Sequence, residues 1–159
     1  MVKKINYFKA QVYYNKGLLK YDKENYKGAL RDYDKAIKIN PKYMLAYNNR
    51  GITKKKLGDM TGAIKDYNIV IKLNRRDADG YYNRANAKSD LGRHKSAIKD
   101  YNKTIKLDPK YAPAYLNRGI SKYELRDYKG ALNDYNKAAR INSSYISFKN
   151  KLIKKINQK

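Results

Sequence analysis

The chain has 159 residues, which suits one domain or one array of short repeats, and it carries 18 tyrosines but no tryptophan and no cysteine. The lack of cysteine excludes disulfides, thiolate metal sites and a cysteine nucleophile. No apolar run approaches the length of a membrane span, and the N-terminal residues lack the apolar core of a secretory signal. We therefore expect a cytoplasmic protein without a transmembrane segment.

Two explanations compete for the net charge of +24. A strongly positive field favours nucleic acid, anionic surfaces or acidic proteins as partners. However, Lys, Asn, Ile and Tyr, whose codons are rich in A and T, account for 78 of the 159 residues. A charge produced by codon usage needs no basic binding surface, and both explanations stay open at this stage.

The sequence repeats itself with a period of 34 residues. Tyrosine, alanine and an Asp-Tyr pair all recur at this spacing: Tyr13, Tyr47, Tyr81 and Tyr115; Ala29, Ala63, Ala97 and Ala131; Asp32-Tyr33, Asp66-Tyr67, Asp100-Tyr101 and Asp134-Tyr135. The period divides the chain into an N-terminal leader or helix extension (1–9), four units (10–43, 44–77, 78–111 and 112–145) and a tail (146–159). Such a period is typical of repeat architectures.

Each unit has the pattern of two helices joined by a turn. In the first unit, the second helix carries apolar residues at helical spacing: Ala29, Leu30, Tyr33, Ala36 and Ile37. Asn-Pro or Asp-Pro closes the first and third units, because proline cannot continue the preceding helix. A small residue in each first helix is expected to face the alanine of the second helix: Gly17, Gly51, Ala85 and Gly119.

This pattern resembles the tetratricopeptide repeat, in which Trp-x2-Leu-Gly-x2-Tyr is followed by Ala-x3-Phe and then Pro. The resemblance covers residues 10–145, with Tyr in place of Trp and Phe, and basic residues in place of Leu and Tyr. Arg75 and Ser143 replace the proline of the second and fourth units. The resemblance implies an all-α, right-handed α-solenoid of four helix-turn-helix units. The tail is expected to form a C-terminal capping helix through Ile146, Leu152, Ile153 and Ile156.

Every unit also has a basic residue at its seventh position and an aspartate at its twenty-third. A half-buried charge needs a partner, so we expect these residues to pair. The expected pairs are Lys16 with Asp32, Arg50 with Asp66, Arg84 with Asp100, and Arg118 with Asp134. Alternatively, each aspartate pairs with the basic residue of the following unit.

The resemblance further implies a ligand groove on the concave face, lined by the first helix of each unit. The candidate groove residues are Tyr14, Asn15, Asn48, Asn49, Lys55, Tyr82, Asn83, Asn86, Asn117 and Tyr123. Asparagine recurs on this face every 34 residues, at Asn15, Asn49, Asn83 and Asn117. Its amide can donate to and accept from a peptide backbone. It can equally well bond a neighbouring helix, and both interpretations stay open.

A basic ridge is expected on the opposite, convex face, along the second helices. Its candidate residues are Lys27, Arg31, Lys35, Lys38, Lys65, Lys72, Lys95, Lys99, Lys103 and Lys106. The simplest interpretation is a solvated helix face. The functional interpretation is contact with a phosphate backbone or an acidic surface.

Nothing in the sequence indicates catalysis. The single histidine, His94, occupies a position that Tyr26, Met60 and Tyr128 fill in the other units, and no nucleophile or phosphate-binding motif is present. We expect a non-catalytic scaffold that binds a protein or peptide, with no cofactor and no metal. The positive net charge favours an acidic ligand. The alternative function is weak, non-specific nucleic-acid binding through the ridge. Self-association through the ends of the array is a third expectation.

One known ligand class of the family is not expected here. Some members hold the C-terminal carboxylate of a chaperone with Lys, Asn and Arg at set repeat positions. Counted from the first unit, those positions hold Tyr14, Leu18, Asn49, Asp79 and Asn83. The basic residues are missing, and the same is true when counting starts at the second unit.

Overall fold

The computed structural model describes residues 2–157, which form helices joined by short turns, with no strand among them. The helices are α1 (Val2–Asp22), α2 (Tyr26–Ile39), α3 (Met44–Lys56), α4 (Met60–Leu73), α5 (Ala78–Asp90), α6 (His94–Leu107), α7 (Ala112–Glu124), α8 (Tyr128–Ile141) and α9 (Ile146–Asn157). A short 3-10 turn, Ser143–Tyr145, precedes α9. The all-α class, with one helix pair per repeat, is confirmed. The chain divides into two compact units, residues 1–75 with α1–α4 and residues 76–159 with α5–α9.

In the first unit, small residues and tyrosine rings share the core. Ala10, Ala36 and Ala46 are fully buried, and Tyr43 is nearly so. The ring centroids of Tyr14 and Tyr43 lie 5.1 Å apart. Alanine lets the helices approach closely, and the rings fill the remaining space.

The second unit is built in the same way. Ala85, Ala97, Tyr101 and Ala114 form one buried cluster between neighbouring helices. A second cluster lies towards the C-terminal end of this unit and contains Tyr115, Leu116, Ala131, Tyr135 and Ala138. Tyrosine is therefore the main large core residue in both units.

The small residues of the first helices face tyrosine rings. A Cβ added to Gly17 would lie 2.5 Å from the ring of Tyr33, and one added to Gly119 would lie 2.7 Å from the ring of Tyr135. The nearest side chain is thus a tyrosine ring and not the expected alanine, although the backbone oxygen of Ala131 would also lie 3.2 Å from a Cβ at Gly119. The tyrosine ring of the second helix occupies the crossing, and a residue with little or no side chain, glycine in three repeats and Ala85 in the third, leaves room for it.

The turn inside each repeat places one residue in the left-handed region of backbone conformation. These residues are Glu24, Gly58, Gly92 and Arg126, with φ of 57°, 83°, 69° and 64°. Glycine adopts this conformation readily, whereas a residue with a Cβ does so at a cost. The next residue caps the second helix in three repeats, where the side chain of Asn25, Asp59 or Asp127 accepts a hydrogen bond from the backbone N–H three residues on. Arg93 makes no such bond.

A buried aspartate holds two basic side chains in three of the repeats. Arg84 donates to both oxygens of Asp100, and Lys88 Nζ lies 2.7 Å from its Oδ2. The same Arg–Asp–Lys cluster recurs as Arg50, Asp66 and Lys54 and as Arg118, Asp134 and Lys122. The three expected arginine pairs are thus present within their own repeats. The second partner, a lysine one turn further along the first helix, was not predicted.

The first repeat departs from this arrangement. Lys20 Nζ, not Lys16, contacts Asp32. Lys16 Nζ lies 5.6 Å from the centre of the Tyr13 ring instead. The predicted pair of Lys16 and Asp32 is therefore wrong. In the other repeats an arginine at this position binds both carboxylate oxygens through its planar guanidinium group. The ammonium group of a lysine cannot make this bidentate contact, and it is attracted to the face of a tyrosine ring.

The two ends of the chain continue the helical pattern. Helix α1 begins at Val2 and is continuous through the predicted leader; Met1 lies outside the described residues. Helix α9 contacts α8, and the rings of Tyr145 and Phe148 lie 6.0 Å apart. Ile146 is 48% exposed and Ile153 is half-buried, and the capping role of the tail stays a prediction. The side chains of Leu152 and Ile156, and residues 158–159, lie outside the described part of the chain.

Candidate functional site

The ten candidate groove residues lie on the first helices of the repeats. In the first unit they are Tyr14 and Asn15 on α1 and Asn48, Asn49 and Lys55 on α3; in the second unit they are Tyr82, Asn83 and Asn86 on α5 and Asn117 and Tyr123 on α7. All are half-buried except Asn15, which is exposed. A half-buried polar side chain retains both a packed position and access to a ligand. Each unit therefore presents its own polar, tyrosine-containing surface.

In the first unit, the site is organised by a hydrogen bond between the two first helices. Asn49 Nδ2 donates to the hydroxyl of Tyr14 at 2.9 Å. Asn48 Nδ2 lies 3.4 Å from Asn49 Oδ1, at the long end of hydrogen-bond distances. The bond to Tyr14 orients the Asn49 amide, so its position on the surface is set by the neighbouring helix.

In the second unit, the corresponding asparagine takes part in a larger network. Asn117 Nδ2 donates to the hydroxyl of Tyr82 at 3.0 Å and to Asn86 Oδ1 at 2.9 Å. The hydroxyl of Tyr101 donates to the same Oδ1 at 2.7 Å. Of the two interpretations of the recurring asparagines, bonding to a neighbouring helix is thus observed at Asn49 and Asn117. Peptide binding by the recurring asparagines stays a prediction.

A pocket opens on this surface of the first unit. It has a volume of about 270 Å³, and it is lined by Leu18, Tyr21, Asp22, Tyr33, Asn49 and Ile52. We call it the first-unit pocket. Its walls are mainly aliphatic and aromatic, Asp22 is exposed at one side, and Asn49 and Tyr33 contribute polar atoms. Such a combination of apolar walls with a few polar groups is typical of a binding site.

The hydroxyl of Tyr33 is the unusual group in this pocket. Tyr33 is fully buried, and its hydroxyl is the one buried side-chain polar atom without a hydrogen-bond partner among the side chains that the structure describes. Burial raises the pKa of Tyr33, and the nearby Tyr14, Asp22 and Tyr21 raise it further. An unsatisfied buried hydroxyl is costly, so such groups commonly mark a place where a ligand or water completes the bonding.

The predicted ridge residues lie on the second helices, α2, α4 and α6. All ten are exposed except Lys103, which is half-buried. Lys103 Nζ lies 5.8 Å from the centre of the Tyr81 ring, and Lys35 Nζ lies 5.4 Å from that of Tyr13. Two ridge lysines thus lie over tyrosine rings, and the other eight ridge residues are exposed to solvent.

Neither a metal site nor a membrane span is found in the described part of the chain. No cluster of three or more acidic residues and histidine is placed to hold a metal ion there. None of its helices combines the length and apolar character required to cross a bilayer. His94 is half-buried at the first position of α6, where its Nδ1 lies 3.4 Å from Ser89 Oγ.

Helix pairs with a 34-residue period, tyrosine-filled crossings and hydrogen bonds between successive first helices define a helical-repeat protein. Family models described as tetratricopeptide repeat match residues 78–111 and 112–145, and one described as TPR repeat matches residues 17–58 and 54–92. The chain belongs to the tetratricopeptide repeat family. By sequence, no curated protein matches it significantly.

Solved structures share the fold at low sequence identity. The chain is similar to MamA from Desulfovibrio magneticus RS-1 (TM-score 0.79, 21% identity, covering 85% of this chain and 76% of that one). It is also similar to YrrB, described as a TPR protein with an unusual peptide-binding site (0.78, 23%, 86% and 71%). A third is the first TPR of Spaghetti (RPAP3) bound to the HSP90 peptide SRMEEVD (0.73, 26%, 76% and 95%).

Of the six residues that line the first-unit pocket, only Asn49 is among the ten candidate groove residues. The sequence places Tyr33 among the apolar residues of the second helix. This is correct for its buried ring, but it does not predict the surroundings of its hydroxyl. The available signal was a comparison between repeats: Asn86, which serves the hydroxyl of Tyr101, corresponds to Leu18 in the first repeat. Asp22 lies at the end of α1, where the equivalent residues of the other units, Lys56, Asp90 and Glu124, differ in charge, so the repeat pattern did not single it out.

Proposed function

We propose that this chain is a non-catalytic protein-interaction module that binds an extended segment of another protein along the first helices of its repeats. The first-unit pocket carries this proposal, because it combines apolar walls with an oriented amide and an unpaired hydroxyl. A side chain of the ligand would enter the pocket, and asparagine amides beside it would bond the peptide backbone. The ten candidate groove residues are the proposed contact surface.

Membership of the family supports this function. Two similar structures are described by their peptide binding, YrrB and the TPR of RPAP3. The clamp for a chaperone C-terminal carboxylate is not part of the proposal, because the basic residues that it needs are absent and Asp79 stands where one would be required. A charged carboxylate would lose charge-assisted hydrogen bonds there. The ligand is therefore an internal segment or one recognised by its side chains.

The net charge of +24 favours an acidic partner and also produces weak binding to any polyanion. Because all the ridge residues except Lys103 are exposed, their attraction is screened by salt. Nucleic-acid binding through the ridge is accordingly the competing function, and its dependence on salt distinguishes it from binding in the groove.

Selection of peptides displayed on phage, with the whole chain as bait at about 150 mM salt, tests the proposal. We expect peptides whose affinity falls at least about tenfold in Asn49→Ala or Asn117→Ala, equivalent to ~1.4 kcal/mol. The ridge variant Lys99→Glu is the matched control and should change affinity by less than about twofold, since exposed charges contribute little at this salt.

Two results would contradict the proposal. One is the failure of repeated selections to yield a peptide that binds the folded chain. The other is a set of selected peptides that lose affinity in the ridge variant but not in the groove variants. The second outcome would favour the polyanion-binding function. Far-ultraviolet circular dichroism of each variant establishes that the comparison is made between folded proteins.

A further inference from the structure

In the third repeat, the polar side chains of the groove surface form hydrogen bonds with one another. The hydroxyl of Tyr101 and the amide of Asn117 both donate to a single acceptor, the side-chain oxygen of Asn86, at 2.7 Å and 2.9 Å. One carbonyl oxygen thus accepts two hydrogen bonds, which its two lone pairs permit. The three side chains come from α6, α7 and α5.

The first repeat keeps both donors but lacks the acceptor. The residues at the corresponding positions, each 68 residues earlier, are Tyr33, Asn49 and Leu18. Leu18 cannot accept a hydrogen bond. The Tyr33 hydroxyl has no partner, and Asn49 Nδ2, which carries two hydrogens, donates only to Tyr14 among the described residues. Two donors are therefore left without the carbonyl oxygen that serves them in the third repeat.

Both residues, Tyr33 and Asn49, line the first-unit pocket. Leu18 and Ile52 form aliphatic walls on the two first helices, Tyr21 adds an aromatic wall, and the carboxylate of Asp22 lies at an exposed edge. A matching occupant has an aliphatic stem for the walls and a carbonyl oxygen for the two donors. It also has a donor group for the carboxylate.

We propose that the first-unit pocket binds the carboxamide side chain of a glutamine in the protein ligand. The amide oxygen of the glutamine takes the position that Asn86 Oδ1 holds in the third repeat and accepts from Tyr33 and Asn49. Its NH₂ group donates to Asp22, and its two methylenes lie between Leu18 and Ile52. This assignment rests on the proposed function, since it names the side chain that anchors the bound segment.

Other side chains match the pocket less well. A leucine would fill it, seal the second Asn49 hydrogen away from solvent and leave the buried Tyr33 hydroxyl unpaired, which is the costly case for buried polar groups. A glutamate would bring a second carboxylate beside Asp22 and would be desolvated against apolar walls. A lysine offers only donors, so it could bond Asp22 but would face the donor hydrogens of Asn49 with a positive charge.

Small capped amino acids test the assignment without a known ligand. The probes are N-acetylglutamine methylamide and the corresponding leucine, glutamate and lysine derivatives, titrated into the whole chain. The methyl resonances of Leu18 and Ile52 report occupancy by nuclear magnetic resonance. We expect saturable shifts with the glutamine probe and a dissociation constant at least about fivefold lower than for the other three, since a site built around hydrogen bonds rejects analogues that cannot make them.

Variants at the pocket and at its counterpart provide the controls. Leu18→Asn supplies the internal acceptor by analogy with Asn86, and we expect it to abolish the shift of the Ile52 methyl while the chain stays folded. Tyr33→Phe removes one donor and should weaken the glutamine probe without affecting the leucine probe. Tyr101→Phe removes the equivalent hydroxyl of the third repeat and should leave both titrations unchanged.

Equal shifts with all four probes, or none with the glutamine probe, would overturn the assignment. So would glutamine binding that persists unchanged in Leu18→Asn. The proposed function can survive such a failure, because displayed peptides that bind the groove but are insensitive to Leu18→Asn would leave the module intact and refute only the pocket's specificity. Failure of both experiments would reject both proposals.

Discussion

The hydroxyls of Tyr33 and Tyr101 occupy equivalent positions in two repeats but have different surroundings. We expect Tyr33→Phe to leave the free energy of unfolding unchanged or slightly raised, because it removes a buried group without a partner. Tyr101→Phe breaks the bond to Asn86 and should cost about 1 kcal/mol. Urea denaturation of both variants measures this difference, and equal destabilisation of the two would contradict the assigned bonding.

Arg50 offers a second matched comparison, because it contacts one buried and one exposed carboxylate. Asp66 has 2% of its side chain exposed and Asp34 has 60%. Asp66→Ala would leave Arg50 and Lys54 half-buried without their shared partner, and we expect a loss of roughly 3–5 kcal/mol. Asp34→Ala should cost less than about 1 kcal/mol. Chemical denaturation of both variants tests the ranking, and a larger loss in Asp34→Ala would refute it.

At the scale of the elements, the left-handed residue inside each helix pair makes a clear prediction. Arg126 has φ of 64° where Gly92 has 69°. Arg126→Gly should stabilise the chain by up to about 1 kcal/mol, because glycine adopts this conformation without a steric penalty. Gly92→Ala is the reverse control, and nothing lies within 4 Å of its added Cβ, so only backbone strain acts. Opposite shifts of the melting temperature are expected; shifts of the same sign would contradict the assignment.

The elements were predictable from the sequence because the 34-residue period fixes helix pairs and turns four times over. The arginine–aspartate pairs were predictable for the same reason. The lysine that joins each pair was not, since its position in the family motif belongs to a tyrosine and repeat spacing does not give the reach of a side chain. The unpaired hydroxyl of Tyr33 was missed because it depends on one position of the first helix in the same repeat, which holds Leu18 in the first repeat and the acceptor Asn86 in the third.

At the scale of the whole molecule, the tyrosine-rich core predicts instability at alkaline pH. Burial raises the pKa of Tyr43 to about 12, with smaller contributions from Tyr14 and Tyr7, and it also raises the pKa of Tyr33 and Tyr101. A tyrosine whose pKa is raised by folding holds its proton more tightly in the native state than in the unfolded state. Its contribution to stability is therefore complete below about pH 10 and is lost as pH rises through the folded value.

We expect the melting temperature to fall steeply from about pH 10 upwards, beyond the change caused by lysine titration. Absorbance of tyrosinate should show exposed tyrosines ionising first and the buried set ionising together with unfolding. A single titration of all 18 tyrosines near pH 10 in the folded chain would contradict this account.

The net charge of +24 acts on the whole molecule, whereas the proposed site is local. The most direct test of the central claim is therefore calorimetric titration of one selected peptide and one single-stranded oligonucleotide at about 50 and about 200 mM salt. We predict that the peptide's affinity changes less than about threefold between the two salts and that the oligonucleotide's falls by at least about tenfold. A salt-resistant oligonucleotide complex, together with a peptide complex that disappears at the higher salt, would contradict the claim that the groove is the functional surface.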